Sequence, residues 1–260
     1  MSERLSLKLV IQWFVLYKLK NIPLTMQELY NALENESSPP TKPGMTRRSY
    51  SIDKVYLHVK ELCDKGEVVE VKGEGVASYS ITKSGHQEEI ERRNDLKSRI
   101  SVTLHALEVM ELDLMISSKK LQVQMVPQVD REFLRSLISI KDVVRYFIID
   151  ELQQESPLSM KELYKRMDNR YGWVCSNTYF HYVGRNELCE GVNEYNKPIE
   201  VETLLIDKWE RIHTRQQSRV YSISDLDRAL QWKERFVEDA IYSVKAAKVF
   251  VKGVLDLLKT

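Results

Sequence analysis

Glycine is scarce in this chain, with nine in 260 residues, and so are histidine, with five, and cysteine, with three. So few glycines point away from glycine-rich α/β nucleotide folds and toward helices. A small, odd number of cysteines makes no disulfide framework and leaves a reducing cytoplasm as the default. The histidines are scattered without metal-ligand spacing, and His86-Gln87-Glu88-Glu89 is not a zincin motif. Gly73-Glu74-Gly75 is too short for a phosphate loop and lacks a following Gly-Lys-Ser/Thr. No serine lies in a nucleophile elbow. The chain is therefore expected to be no enzyme and to use no cofactor. Nor does any apolar run approach the roughly 18 to 20 residues of a membrane span. The closest, Leu9 to Leu19, is broken by Gln12 and Lys18 and lacks a small-residue cleavage site. One charge does not dominate either: 39 Lys+Arg face 38 Asp+Glu, a net of +1. That excludes a histone-like polycation and an acidic tail, so any nucleic-acid site must come from local clustering.

The sequence does contain its own repeat. Pro23-Leu24-Thr25-Met26-Gln27-Glu28-Leu29-Tyr30 returns as Pro157-Leu158-Ser159-Met160-Lys161-Glu162-Leu163-Tyr164. Val55-Tyr56-Leu57-His58-Val59 is answered by Thr178-Tyr179-Phe180-His181-Tyr182, and Glu61-Leu62-Cys63-Asp64 by Glu187-Leu188-Cys189-Glu190. Ser78-Tyr79-Ser80-Ile81 corresponds to Val220-Tyr221-Ser222-Ile223. Four blocks in one order indicate a tandem duplication. The spacers differ, with Asn35 to Tyr50 inserted in the first copy and Glu190 to Arg219 extended in the second, as surface connections do.

Within a copy, Leu5, Leu9, Trp13, Leu16 and Leu19 recur at helical spacing, and so do Val143, Phe147, Ile148 and Leu152. Thr25 and Ser159 each stand three residues before a glutamate, the capping-box pattern that opens a second helix. A third helix is expected over about Ser51 to Cys63, with Ile52, Val55, Tyr56, Val59 and Leu62 inward, and its counterpart over Ser176 to Leu188. After Gly66 the period becomes alternating, giving a hairpin of Val68 to Val71 and Ala77 to Ile81. The second hairpin is placed at Val192 to Tyr195, Val201 to Ile206 and Val220 to Ile223. Long helices follow each hairpin, Ser84 to Ile116 and Ser224 to Leu258. Apolar residues including Ile90, Ile100, Leu104, Leu226 and Val249 call for a partner helix. The expected fold is mainly α with small β-hairpins (α+β): two tandem winged helix-turn-helix domains, each with a long C-terminal helix. Residues 1–116 form the first domain, 117–138 a linker and 139–260 the second.

Tyr56 with Leu62 and Gly66, then Tyr79-Ser80-Ile81-Thr82-Lys83-Ser84-Gly85, resembles the PadR family of transcriptional regulators. The stretch from Val220 through Ala229 and Lys233 to Leu258 is similar to the C-terminal portion of the Bacillus replication terminator protein, another winged-helix dimer. The resemblances imply double-stranded DNA binding, a bacterial or phage-encoded protein of the cytoplasm and nucleoid, and a homodimer through the long helices. Two features depart from the family: the chain carries two modules rather than one, and Ser224-Asp225-Leu226-Asp227 stands where Thr-x-x-Gly would. Some relatives bind drugs or phenolic acids. A small-molecule effector could accordingly sit among Trp13, Trp173, Trp209 and Trp232, although core packing is the commoner aromatic role.

In such a fold the third helix enters the major groove. Copy one offers Arg47, Arg48, Ser49, Tyr50, Lys54, His58 and Lys60. Between Lys42 and Lys60 five basic residues face Asp53 alone, and the two arginines suit guanine. Copy two offers Ser176, Asn177, Thr178, His181 and Arg185, where Asn177 fits either adenine readout or an ordinary helix start. Lys208, Arg211, His213, Arg215 and Arg219 would follow phosphates from the extended wing, with strand ion pairs as the plain alternative. Matched Tyr56/Tyr179 and Cys63/Cys189 read as packing residues. A sequence-specific transcriptional regulator is the leading expectation, its two recognition helices about 34 Å apart. A winged-helix protein-interaction scaffold and a replication-terminator-like block are the alternatives.

Overall fold

A computed structural model describes residues 4–36, 51–71, 76–116, 126–172, 174–193, 195–199, 201, 203–213 and 216–260; of residues 211–213 and 216 it describes the backbone alone. The protein is mainly helical with small antiparallel sheets. Among the described residues no helix is long and apolar enough to cross a membrane.

The chain divides into two compact units. Unit 1 comprises Met1–Glu108, Val126–Leu137 and Lys245–Thr260, and unit 2 comprises Val109–Met125 and Ile138–Val244. Unit 1 contains α1 (Leu7–Leu19), β1 (Leu24–Thr25), α2 (Met26–Glu36), α3 (Ile52–Asp64), β2 (Val68–Val71) and β3 (Ser78–Ile81). The helix α4 (Lys83–Ile116) begins there and its last turns belong to unit 2. A short α5 (Arg131–Leu137) buries Phe133, Leu134 and Leu137 in unit 1, so part of the expected linker is core. Unit 2 repeats the order as α6 (Ile140–Gln154), β4 (Leu158–Ser159), α7 (Met160–Tyr171), α8 (Asn177–Tyr182), β5 (Leu205–His213) and β6 (Gln216–Ile223). It also holds most of α9 (Leu226–Leu257), whose end belongs to unit 1.

The sheets match strand for strand, with orders β1-β3-β2 and β4-β6-β5. Leu24 faces Tyr79 as Leu158 faces Tyr221, and Glu70 pairs with Tyr79 as Asp207 pairs with Tyr221. The helix caps form as their spacing demands, and in unit 1 the bonds are reciprocal. Thr25 N–H donates to Glu28 Oε2 at 2.7 Å while Glu28 N–H donates to Thr25 Oγ1 at 3.3 Å. In unit 2, Glu162 N–H donates to Ser159 Oγ at 3.2 Å. After each third helix the chain turns through a glycine in the left-handed region, Gly66 at φ +73° and Gly191 at +69°, where a side chain would be strained.

Both units also share a polar clamp between first and third helices. Lys8 and Gln12 of α1 reach Glu61 Oε2 at 2.8 and 2.7 Å. Lys141 and Arg145 of α6 reach Glu187, at 2.9 Å and at 2.7 Å. The i, i+4 spacing puts both donors on one face of the first helix.

Three expectations change. Val55, Val59 and Leu62 of α3 are buried, but Ile52 and Tyr56 are exposed, because the buried stripe is narrower than the apolar content suggests. Ile90, Leu226 and Val249 of the long helices are likewise exposed. The second hairpin is not at Val192 to Tyr195, where the described residues form an isolated bridge between Val192 and Pro198. Its first strand instead runs from Leu205 to His213, with a register irregularity between Arg211 and His213.

Candidate nucleic-acid interface

The third helices begin alike. Ser51 accepts from Lys54 N–H at 3.3 Å, and Ser176 from Tyr179 N–H at 3.3 Å. These caps set the equivalence between the copies: Val55 and Phe180, both buried four residues on, are counterparts. The block match of Tyr56 with Tyr179 and His58 with His181 is therefore off by two positions. Tyr56 is exposed, whereas Tyr179 is half-buried and its hydroxyl is held well above the usual phenol range by desolvation. Twelve residues separate Ser51 from Cys63, but thirteen separate Ser176 from Cys189. A π-helical turn over Val183–Glu187 absorbs the extra residue and restores the match at the helix end. Gly184 sits in that turn, where a Cβ would come within 2.5 Å of Met160 Sδ.

On α3, outside the buried stripe of Val55, Val59 and Leu62, Lys54 and Lys60 are both exposed. His58 does not join them. Its Nδ1 lies 3.7 Å from Glu61, and burial, the largest influence, pushes its pKa down against the pull of that carboxylate. Arg47, Arg48, Ser49 and Tyr50 lie outside the described residues, as does Arg215. Within α3 and its cap, Lys54 and Lys60 meet Asp53, Glu61 and Asp64, so the expected cationic cluster rests on the preceding segment.

On α8, Ser176 is engaged as the cap, which leaves the exposed Asn177 and Thr178 without that duty. His181 is half-buried and its pKa is lowered by desolvation alone. Arg185 is exposed but pairs with Glu190 at 3.0 Å. The long β5–β6 hairpin carries the remaining set. Lys208 pairs with Glu210 at 2.6 Å, and Arg219 pairs with Asp207. Arg219 also lies over the Tyr221 ring at 5.9 Å, and its hydrogen bond to Asp207 raises its pKa further. The strand ion pairs expected as the plain alternative thus exist, one along β5 between Lys208 and Glu210 and one across the ladder between Arg219 and Asp207. Arg211 and His213 stand in β5, in register with Gln217 and Gln216.

Three of the four tryptophans lie among the described residues. Trp13 is fully buried in unit 1 and donates Nε1–H to Glu89 at 3.3 Å. Trp232 stacks on Phe236 with ring centroids 5.6 Å apart, and Trp173 lies outside the described residues. Trp209 is exposed on β5. Among the described residues no group of three or more His, Cys, Asp or Glu side chains is placed to hold a metal ion. No protein-family model matches the chain, and no curated protein matches it either.

Proposed function

We propose that the chain binds double-stranded DNA through two winged helix-turn-helix units and acts as a sequence-specific transcriptional regulator. The observation that carries this reading is the repeated presentation of the third helix. In each unit it is clamped to the first helix on one side and followed by a hairpin, with polar residues exposed between. Lys54 and Lys60 on α3, and Asn177 and Thr178 on α8, are the groove-facing candidates among described residues. Arg47, Arg48 and Arg215 extend the set by sequence. A cytoplasmic, nucleoid-associated location accompanies this role. So does self-association through the long helices, supported by Tyr242 and Val249 exposed on α9.

Anisotropy titrations against labelled genomic duplexes test it. Duplex binding should weaken by about three decades between low and moderate salt if six or so phosphates are neutralised. Lys54→Glu with Lys60→Glu should abolish most of it. Binding that ignores salt, or survives that charge reversal unchanged, would remove α3 from the interface.

A second reading, a protein-interaction scaffold, is favoured by one feature of unit 1. Its third helix exposes Ile52, Tyr56 and Leu57, and its hairpin exposes Val69, Val71 and Val76. Salt-insensitive association with a protein partner and none with duplexes would select it.

A further inference from the structure

In unit 1 the residues just before α1 and the stretch from Gln128 through α5 enclose a cleft of about 420 Å³, lined by Arg4, Gln128, Val129, Arg131, Glu132 and Arg135. The helical period of α5 builds one wall. Phe133, Leu134 and Leu137 are buried in the unit, while Arg131 and Arg135, four residues apart, share a face and both reach the cleft.

Three guanidinium groups therefore meet one carboxylate in this concavity. That carboxylate, Glu132, pairs with Arg4 at the rim, where the two side chains are 64% and 50% exposed. The neighbouring buried acid, Asp130, does not line the cleft and accepts from Arg99 Nε at 3.1 Å. Its charge is thus balanced by a cation from outside the site. Arg131 Nε–H donates to the carbonyl oxygen of Val126 at 3.1 Å, a bond that fixes the plane of its guanidinium.

Two arginines one turn apart repel each other, and an anion between them relieves that repulsion. The planar guanidinium matches the paired oxygens of a phosphate or a carboxylate. The volume suits a metabolite rather than a macromolecule. Val129, 52% exposed, offers an apolar wall for a short carbon stem.

We infer that this cleft binds a small organic oxyanion with two negative charges, a phosphate monoester or a dicarboxylate, held by Arg131 and Arg135. Arg4 completes the site by exchanging Glu132 for the ligand, so the Arg4–Glu132 pair competes with binding. The cleft lies apart from both third helices and both hairpins, and the inference does not rest on the DNA-binding reading.

Inorganic phosphate and malonate would each be titrated into the full chain by calorimetry, against sodium chloride at equal ionic strength, with thermal melts in parallel. At least one should bind saturably and raise the melting temperature, and the one that does identifies the acid group of the ligand. Arg131→Gln with Arg135→Gln should weaken binding about tenfold or more, as expected when charge-assisted hydrogen bonds are removed. Glu132→Gln should tighten binding several-fold, because Arg4 loses its competing carboxylate. A damaged fold would not produce that gain. The site is overturned if neither anion saturates, if the double-arginine variant binds at native strength, or if Glu132→Gln leaves the affinity unaltered or lower. Displacement of the anion by added duplex would give these arginines to DNA and overturn it as well.

Discussion

The guanidinium of Arg145 donates to Glu187 Oε2 at 3.0 and 2.7 Å, and the glutamate is wholly inside unit 2. Unit 1 builds the same connection on Glu61, but there the side chain is 42% exposed. One geometry in two solvents gives two energies. Truncating Arg145 to Ala should cost about 3–5 kcal/mol, because it removes the bidentate partner of a buried carboxylate and leaves it to the half-exposed Lys141. Truncating Lys8 should cost under about 1 kcal/mol, since water can solvate Glu61 in its place. Urea unfolding of both variants checks the contrast, and equal losses would refute it.

Helix starts offer a gentler test. Thr25→Ala and Ser159→Ala each remove a side-chain acceptor from the second helix of a unit and should each cost about 1 kcal/mol. Glycine at either position should cost only a few tenths. The two losses should add in the double variant, for the caps share no partner.

Much of this could be read from residue order, and the reasons for success and failure are local. Capping boxes, helix spacing and the Tyr79 and Tyr221 strands were legible because each is fixed by neighbours in sequence. The two-residue strands at Leu24–Thr25 and Leu158–Ser159 were not, since they exist only by pairing with strands far along the chain. The shift between Tyr56 and Tyr179 was hidden because a π turn compensates it before the matching cysteines. On the candidate interface, charge was visible and its partners were not. Arg185 is paired with Glu190 in space, and for Arg219 the sequence allowed an ion pair without naming Asp207 as its partner.

Glycines 85 and 253 should respond in opposite ways to alanine. A Cβ on Gly85 would lie 2.0 Å from the carbonyl oxygen of Glu67, which also accepts from Thr82 N–H at 3.0 Å. Neither backbone can retreat without breaking that link, so Gly85→Ala should destabilise by about 3 kcal/mol. At Gly253, inside α9, nothing lies within 4 Å, and Gly253→Ala should stabilise by about 0.5–1 kcal/mol. Thermal melts of the pair decide this, and a stabilised Gly85→Ala would show that the turn is looser than its geometry.

His58 should make the protein sensitive to mild acid. Burial lowers its pKa in the folded chain, against the opposing pull of Glu61. The groups around it are Glu61, Lys8 of α1 and Lys54 of α3. A depressed histidine pKa means the unfolded chain takes up the proton first. Its contribution is thus fully present above about 6.5 and is lost as pH falls through the folded value. His58→Gln should flatten the fall in stability between about pH 7 and pH 5. An unchanged slope would place the acid sensitivity elsewhere.

Cys189 gives the converse case at high pH. Burial, with Asp207 accepting its S–H hydrogen bond at 3.5 Å, pushes the thiol up to about 11. The thiol form is favoured in the folded chain, so the stability it contributes is present below the unfolded pKa and is lost as pH rises toward 11. The thiolate is the reactive species, so Cys189 should alkylate slowly with iodoacetamide at pH 8 and accelerate only in strong base. Asp207→Asn removes the charge that opposes ionisation while keeping an acceptor for the S–H. It should lower the thiol pKa and speed alkylation, and it also frees Arg219 from its carboxylate. Peptide-resolved alkylation rates across pH measure the shift. Rapid labelling of native Cys189 at pH 8 would mean that Asp207 and its surroundings do not protect it.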